Sequence, residues 1–165
     1  MEIRVVDFDV LTKNYSNYQN GVQKMEEIRK SFVNRMDPIK EEMESIIKSV
    51  NSGLIVDRET QEEKNAKFSE LQEQAMGIDN EYKMTMRLEQ ENLNKSTYDE
   101  LETIINEWAQ NKDVDMVMGK MEVVFAKGSV EITEEIIETL KEKGLYQEFK
   151  AEPVEKKNIV VEDLR

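Results

Sequence analysis

Residues 11–50, LTKNYSNYQNGVQKMEEIRKSFVNRMDPIKEEMESIIKSV, carry Leu11, Tyr15, Tyr18, Val22, Met25, Phe32, Met36, Ile39, Met43, Ile46 and Val50 in alternating steps of four and three, interrupted only by Arg29. That spacing lays the apolar side chains along one narrow stripe of a helix, and a stripe so regular needs a second helix to cover it. A second series, Phe68, Leu71, Ala75, Ile78, Tyr82, Met86, Leu93, Leu101, Ile104 and Trp108, follows the turn signal Asn51-Ser52-Gly53 and can fold back as that cover. Residues 10–111 are therefore expected to form an antiparallel coiled-coil hairpin, an arm.

Asp7 to Asp9 supply N-cap candidates for a helix expected from about Val10 to Val50. Asp37-Pro38 reads equally as a kink or restart within that helix and as strain it tolerates. The returning helix is expected to start near Asp57 or Thr60 and to end around Asn111, loosest over the polar stretch Glu89 to Ser96.

Strand-like segments flank the arm. Ile3-Arg4-Val5-Val6 precedes it; Val114 to Met118 follows, and after Gly119-Lys120 the run Met121 to Ala126 reads as the second strand of a hairpin. A short helix is then expected, with Thr133 as N-cap and Gly144 as its stop. The expected fold class is thus α+β: a small β-body from residues 1–9 and 112–146, a coiled-coil arm from residues 10–111, and a charged tail over residues 147–165 in which Ile159-Val160-Val161 could pair with something but cannot form a core.

Composition sets limits on function. Hydrophobic residues make up 38% of the 165 and charged residues 36%, too lean a mixture for one large globular core. A net charge of -13 argues against nucleic acid or an anionic membrane as the main partner, since both call for a basic patch. No apolar run approaches the ~18 residues that a stable membrane span requires. Cysteine and histidine are both absent, which removes thiol nucleophiles, thiolate metal sites and the commonest general base.

The chemistry-bearing residues point the same way. Glu41-Glu42-Glu44, Glu62-Glu63 and Asp99-Glu100-Glu102 lack the Gly-containing loop of a calcium site and read as solvated helix faces. No Gly-rich phosphate loop follows a strand, so neither an enzyme nor a cofactor is expected. Methionines at 25, 36, 43, 76, 84 and 86 suit either a coiled-coil seam or promiscuous apolar contact; Met84, off the seam, is a candidate client contact, as are Leu54 and Ile55 beside the turn.

Two end segments resemble a known family. VVDFDVL leading into a long helix, and DVDMVMGKMEVVFAKGSVEITEEIIETLKEKG after the arm, resemble the ends of Skp/OmpH-like chaperones: Asp113 to Met118, Glu122 to Ala126 and Glu131-Ile132-Thr133 supply that family's acidic-apolar strand, second strand and pre-helix motif in order. The resemblance covers nearly all of residues 2–144. It implies a jellyfish-like homotrimer, with strands of three chains forming a central β-body and three helical arms enclosing unfolded outer-membrane proteins without ATP. The residues favour association independently, because short strands leave exposed edges and bury little area. Val5, Phe8, Val117, Val123 and Phe125 are the expected interface positions, with intrachain core as the alternative for each.

This chain departs from that family in being strongly acidic and in placing Met1 directly before the first strand. A chain complete as given would stay in the cytoplasm; one from which a signal peptide had been trimmed would act in the periplasm. The leading functional expectation is an ATP-independent holdase whose partners are copies of itself and non-native proteins, cationic ones above all. The alternative is a structural or assembly protein, such as a phage-encoded one, that binds a single partner through its arms. A prefoldin-like subunit would place its strand pair between the helices.

Overall fold

The computed structural model describes residues 1–55 and 57–151. The chain order is β1 (Ile3–Val6), α1 (Phe8–Lys13), α2 (Ser16–Asn51), α3 (Arg58–Asn111), β2 (Met116–Gly119), two single 3-10 turns (Lys120–Glu122 and Gly128–Val130) and α4 (Thr133–Glu142). Described residues 1–24 and 90–151 form one compact unit and residues 25–89 another, with α2 and α3 each contributing to both.

In the second unit the two helices pair as the apolar spacing requires. Met43, Ile46 and Leu71 form a buried cluster flanked by Ile39, Val50 and Phe68. Phe32 and Tyr82 meet with ring centroids 5.5 Å apart, and both guanidinium nitrogens Nη1 and Nη2 of Arg35 donate to the Glu81 carboxylate. Contacts of 32 with 82 and of 46 with 71 fix an antiparallel register. α2 runs unbroken through Pro38, which is exposed, so the helix tolerates proline here without restarting. Two polar residues of α3 are buried: Asp79 in this unit, next to the expected Ile78, and Thr97 in the first, within the gap between Leu93 and Leu101.

The first unit has the larger core. Val6, Leu11, Tyr15, Leu101, Ile104, Ile105, Ile132, Ile136, Ile137 and Leu140 are buried together. Here α4 contributes its whole apolar face. Gly144, at φ +70°, ends α4 in the left-handed region where a side chain would be strained, and the amides of Gly144 and Leu145 turn back to the carbonyls of Lys141 and Leu140. Close approach of α2 and α3 is allowed by Gly21, which lies against Leu93.

Four local expectations are corrected. The first helix does not begin at Val10 and continue to Val50: Asp7 caps α1, which starts at Phe8, and the chain breaks at Asn14–Tyr15 before α2. Second, β2 does not form a hairpin with Met121–Ala126. It pairs in parallel with β1, Ile3 facing Met116 and Val6 facing Gly119, while residues 120–122 turn and the segment beyond has no ladder partner among the described residues. A strand exists by virtue of its ladder, and β1 already has its other side against Glu131. Third, Thr133 is not the N-cap of α4; Ile132 occupies that place, and the Thr133 hydroxyl instead accepts from the Asp7 amide at 2.9 Å. Fourth, the seam of α3 includes Asp79 and Thr97. Asp57 does cap α3, through bonds from the Glu59 and Thr60 amides and the Thr60 hydroxyl, which hold its carboxyl below the usual range. The motif Ile159-Val160-Val161 and most of the tail lie outside the described residues, as does Val56.

Candidate interaction surfaces

The end of β1 is fixed by a polar knot. Asp7 accepts from the amides of Asp9 and Val10 at the head of α1; Lys120 Nζ reaches Glu131 at 3.2 Å and Asp7 at 3.8 Å. This holds β1, the turn after β2 and the start of α4 together. Val5, at 4% exposure, lies in this framework as intrachain core, paired with Met118 and bridged to Glu131. Val117 is half-buried and packs against the main cluster. Phe8 is half-buried and stacked on Tyr98, with ring centroids 5.2 Å apart and planes inclined by 19°.

Beyond the knot the chain becomes apolar and uncovered. Met121 is 89% exposed, Val124 fully exposed and Phe125 79% exposed, while Val123 between them is half-buried with extended backbone (φ -114°, ψ 121°). Beside them is a groove of ≈ 500 Å³ whose walls include Phe8, Tyr98, Ile105, Val114, Met116 and Lys120. Among the described residues the outer edge of β2 has no strand against it. An exposed strand edge, an amphipathic groove and an uncovered apolar segment therefore lie together in one unit. Of the five expected interface residues, only Phe125 is exposed; Met121, Val124 and Tyr98 join it, and the alternation that singled out 123 and 125 gave no reason to pick 124.

In the other unit, Leu54 is 84% exposed, Ile55 half-buried and Met84 61% exposed, with Met76 and Leu88 also exposed on α3. They are scattered among carboxylates and do not form a cavity. Glu81 is held below the usual carboxylate range by its bond from Arg35. Some of the carboxylate runs are engaged individually: Glu62 pairs with Arg58, and Glu100 accepts from the Tyr15 hydroxyl at 3.0 Å. Among the described residues no group of three or more carboxylates is placed to hold a metal ion, and no helix is long and apolar enough to cross a membrane.

No curated protein matches the chain. The family model described as outer membrane protein (OmpH-like) matches residues 2–140, which takes in every element of the first unit as far as α4 and the whole helical hairpin. That family is of chaperone type, generally periplasmic and non-enzymatic. With β1 and β2 brought from opposite ends of the chain to one small sheet, and two long helices between them, this chain belongs to the OmpH-like family.

Proposed function

We propose that the protein is an ATP-independent holdase acting as a homotrimer, in which residues 1–9 and 112–146 associate and the helices of residues 10–111 surround non-native clients. The observation that carries this reading is the uncovered segment Met121–Phe125 beside the free edge of β2. A fully exposed valine next to a largely exposed phenylalanine is costly in water, at roughly 25 cal/mol per Å2 of apolar area. An uncovered apolar segment that follows an unpaired strand edge on one chain could pair with that edge on another copy, and such head-to-tail contacts close into a ring when the rotation between copies allows it. Val123, Phe125, Val117 and Phe8 would then line the contacts between copies, with Val5 supporting them from beneath. Leu54, Ile55 and Met84 would supply dispersed apolar contacts to clients, and the carboxylate-rich helices a hydrated wall that favours cationic ones.

Two measurements test this. Light scattering coupled to size exclusion should return three times the 19.4 kDa chain mass. Aggregation assays should show protection of several unrelated unfolded proteins without ATP. A stable monomer at micromolar concentration overturns the assembly, and stoichiometric binding to one native partner with no protection of unfolded chains would replace the holdase by an assembly protein.

A further inference from the structure

The break between α1 and α2 has one weak local signal, Asn14, whose side-chain amide donates back to the Val10 carbonyl at 2.8 Å. From Asp9 to Asn20 the sequence contains neither Gly nor Pro, and Leu11, Tyr15, Tyr18 and Val22 keep their helical spacing across it. Nevertheless Asn14 leaves helical geometry (φ -99°, ψ 9°), and the Tyr15 amide bonds to Thr12 in a tightened turn. What holds the break is a segment after α4.

Residues 145–149 cross the joint as a strap. The Ser16 amide, which in a continuous helix would donate to Thr12, donates to the Leu145 carbonyl at 2.9 Å. The Asn14 carbonyl, which would accept from Tyr18, accepts from the Gln147 amide at 3.0 Å. Tyr15 and Tyr146 form an antiparallel bridge, and the Phe149 amide donates to the Asn14 side-chain oxygen at 2.9 Å. The Gln19 side-chain amide completes the set, donating to both Lys13 and Gln147 carbonyls. Two of the groups freed by breaking the helix, the Ser16 amide and the Asn14 carbonyl, are thus taken up by the strap, and the strap lies beyond the residues matched by the family model.

We propose that this joint is a two-state element controlled by the strap. With residues 145–149 docked, α1 and α2 are separate helices; with them withdrawn, Ser16 and Tyr18 regain Thr12 and Asn14 as acceptors and the two helices join into one from Phe8 onward. Leu11 and Tyr15 keep their spacing across the break, so a continuous helix would still present both on one apolar face. Joining would reorient β1 and α1 relative to the first turns of α2, coupling the C-terminal segment to the N-terminal strand.

The test is NMR of the full-length protein against the double variant Gln147→Pro/Phe149→Pro, which deletes two strap amides while leaving Leu145 and Tyr146 to pack, and against a chain ending at Gly144. Cα shifts of Asn14 and Tyr15 should move to helical values in both, with α4 shifts unchanged and Ser16 still protected from exchange. If the truncated chain loses its α4 signals, the proline variant and Asn14→Ala in the otherwise intact chain decide; the alanine should shift the same residues in the same direction. Unaltered shifts at Asn14 and Tyr15 would show that the break is intrinsic. Movement to random-coil values, with Ser16 exchange accelerated tenfold or more, would make the strap a staple and overturn the two-state joint.

Discussion

Gly21 lies so close to Leu93 that a Cβ on it would fall 2.3 Å from Leu93 Cδ1. The obstructing atom is the end of a flexible side chain, so Gly21→Ala should be nearly neutral: the helix-propensity gain of about 1 kcal/mol offsets a forced rotation of Leu93. Gly21→Val cannot be absorbed so easily and should destabilise by about 1–3 kcal/mol. Thermal melts of both variants, and of Gly21→Val combined with Leu93→Ala, check this; the double variant should recover part of the loss.

Asp79 is buried in the seam of α3 with Lys83 Nζ 2.7 Å from one carboxylate oxygen and no hydrogen-bond partner for the other. Desolvating that oxygen is unfavourable, and Lys83 reaches the other one from a largely exposed position. Asp79→Leu is expected to be neutral or to stabilise by about 1 kcal/mol. A urea midpoint lowered by an equivalent of more than about 1 kcal/mol would show that the carboxylate is better satisfied than its geometry indicates.

Phe125→Asp and Val124→Asp should dissociate the assembly while leaving each chain folded, because both side chains are exposed within the chain. Phe8→Asp should differ, since Phe8 packs against the main cluster and on Tyr98; it should cost the chain's own fold as well. Sedimentation with far-UV circular dichroism separates the two outcomes. Phe125→Asp remaining trimeric would remove that residue from the interface.

Tyr15 is held neutral in the folded chain: burial raises its hydroxyl pKa above the usual value of about 10, and the Glu100 carboxylate adds to the rise. A raised folded value means that this contribution to stability is fully present below about pH 10 and is lost as the pH climbs through the folded value. Tyr15→Phe should cost about 1 kcal/mol at pH 7 through the lost hydroxyl bonds, yet show a shallower alkaline decline. Melting temperatures from pH 7 to 11 for the two proteins provide the comparison, and parallel curves would refute the assignment.

Residues 59–107 carry thirteen carboxylates and five cations. At low salt the protein should protect a basic unfolded client better than an acidic one. Above about 0.1 M salt, where the screening length is ~10 Å, the difference should fade while apolar binding persists. Turbidity of one basic and one acidic client across a salt series measures it; equal protection at low salt would make the acidity a matter of solubility alone.

The hairpin could be read from the sequence because helix pairing in the second unit is governed by spacing within each helix: Phe32, Met36, Met43 and Ile46 are buried where their steps put them. Asp57 and Gly144 were legible for a similar reason, since caps and stops depend on local backbone chemistry. Asp79 and Thr97 were hidden by their polarity, although steps of four from Ala75 and from Leu101 reach them. The break at Asn14 was only weakly legible, because beside the local bond from the Asn14 side chain to Val10 its partners include Phe149, 135 positions away. The missing second strand has a different cause: Met121–Ala126 has the composition of a strand, but a 3-10 turn at Lys120–Glu122 follows β2 at once, and among the described residues no ladder partner lies against the segment. Composition marked the segment as apolar; which of its side chains face outward depends on the turn at Lys120–Glu122 that precedes it.

The parallel pairing of β1 with β2 sets the order in which the molecule can be completed. Ile3 meets Met116, so β1 has no partner during synthesis until the whole helical hairpin has followed it. At about 5–20 residues per second the wait is on the order of 10 s, while the contacts nearest the turn of the hairpin, far closer in sequence, can form within that interval. For that time Ile3–Val6 is an unpaired, largely apolar segment of a growing chain. During its own synthesis, this member of a chaperone family is in the condition of a client.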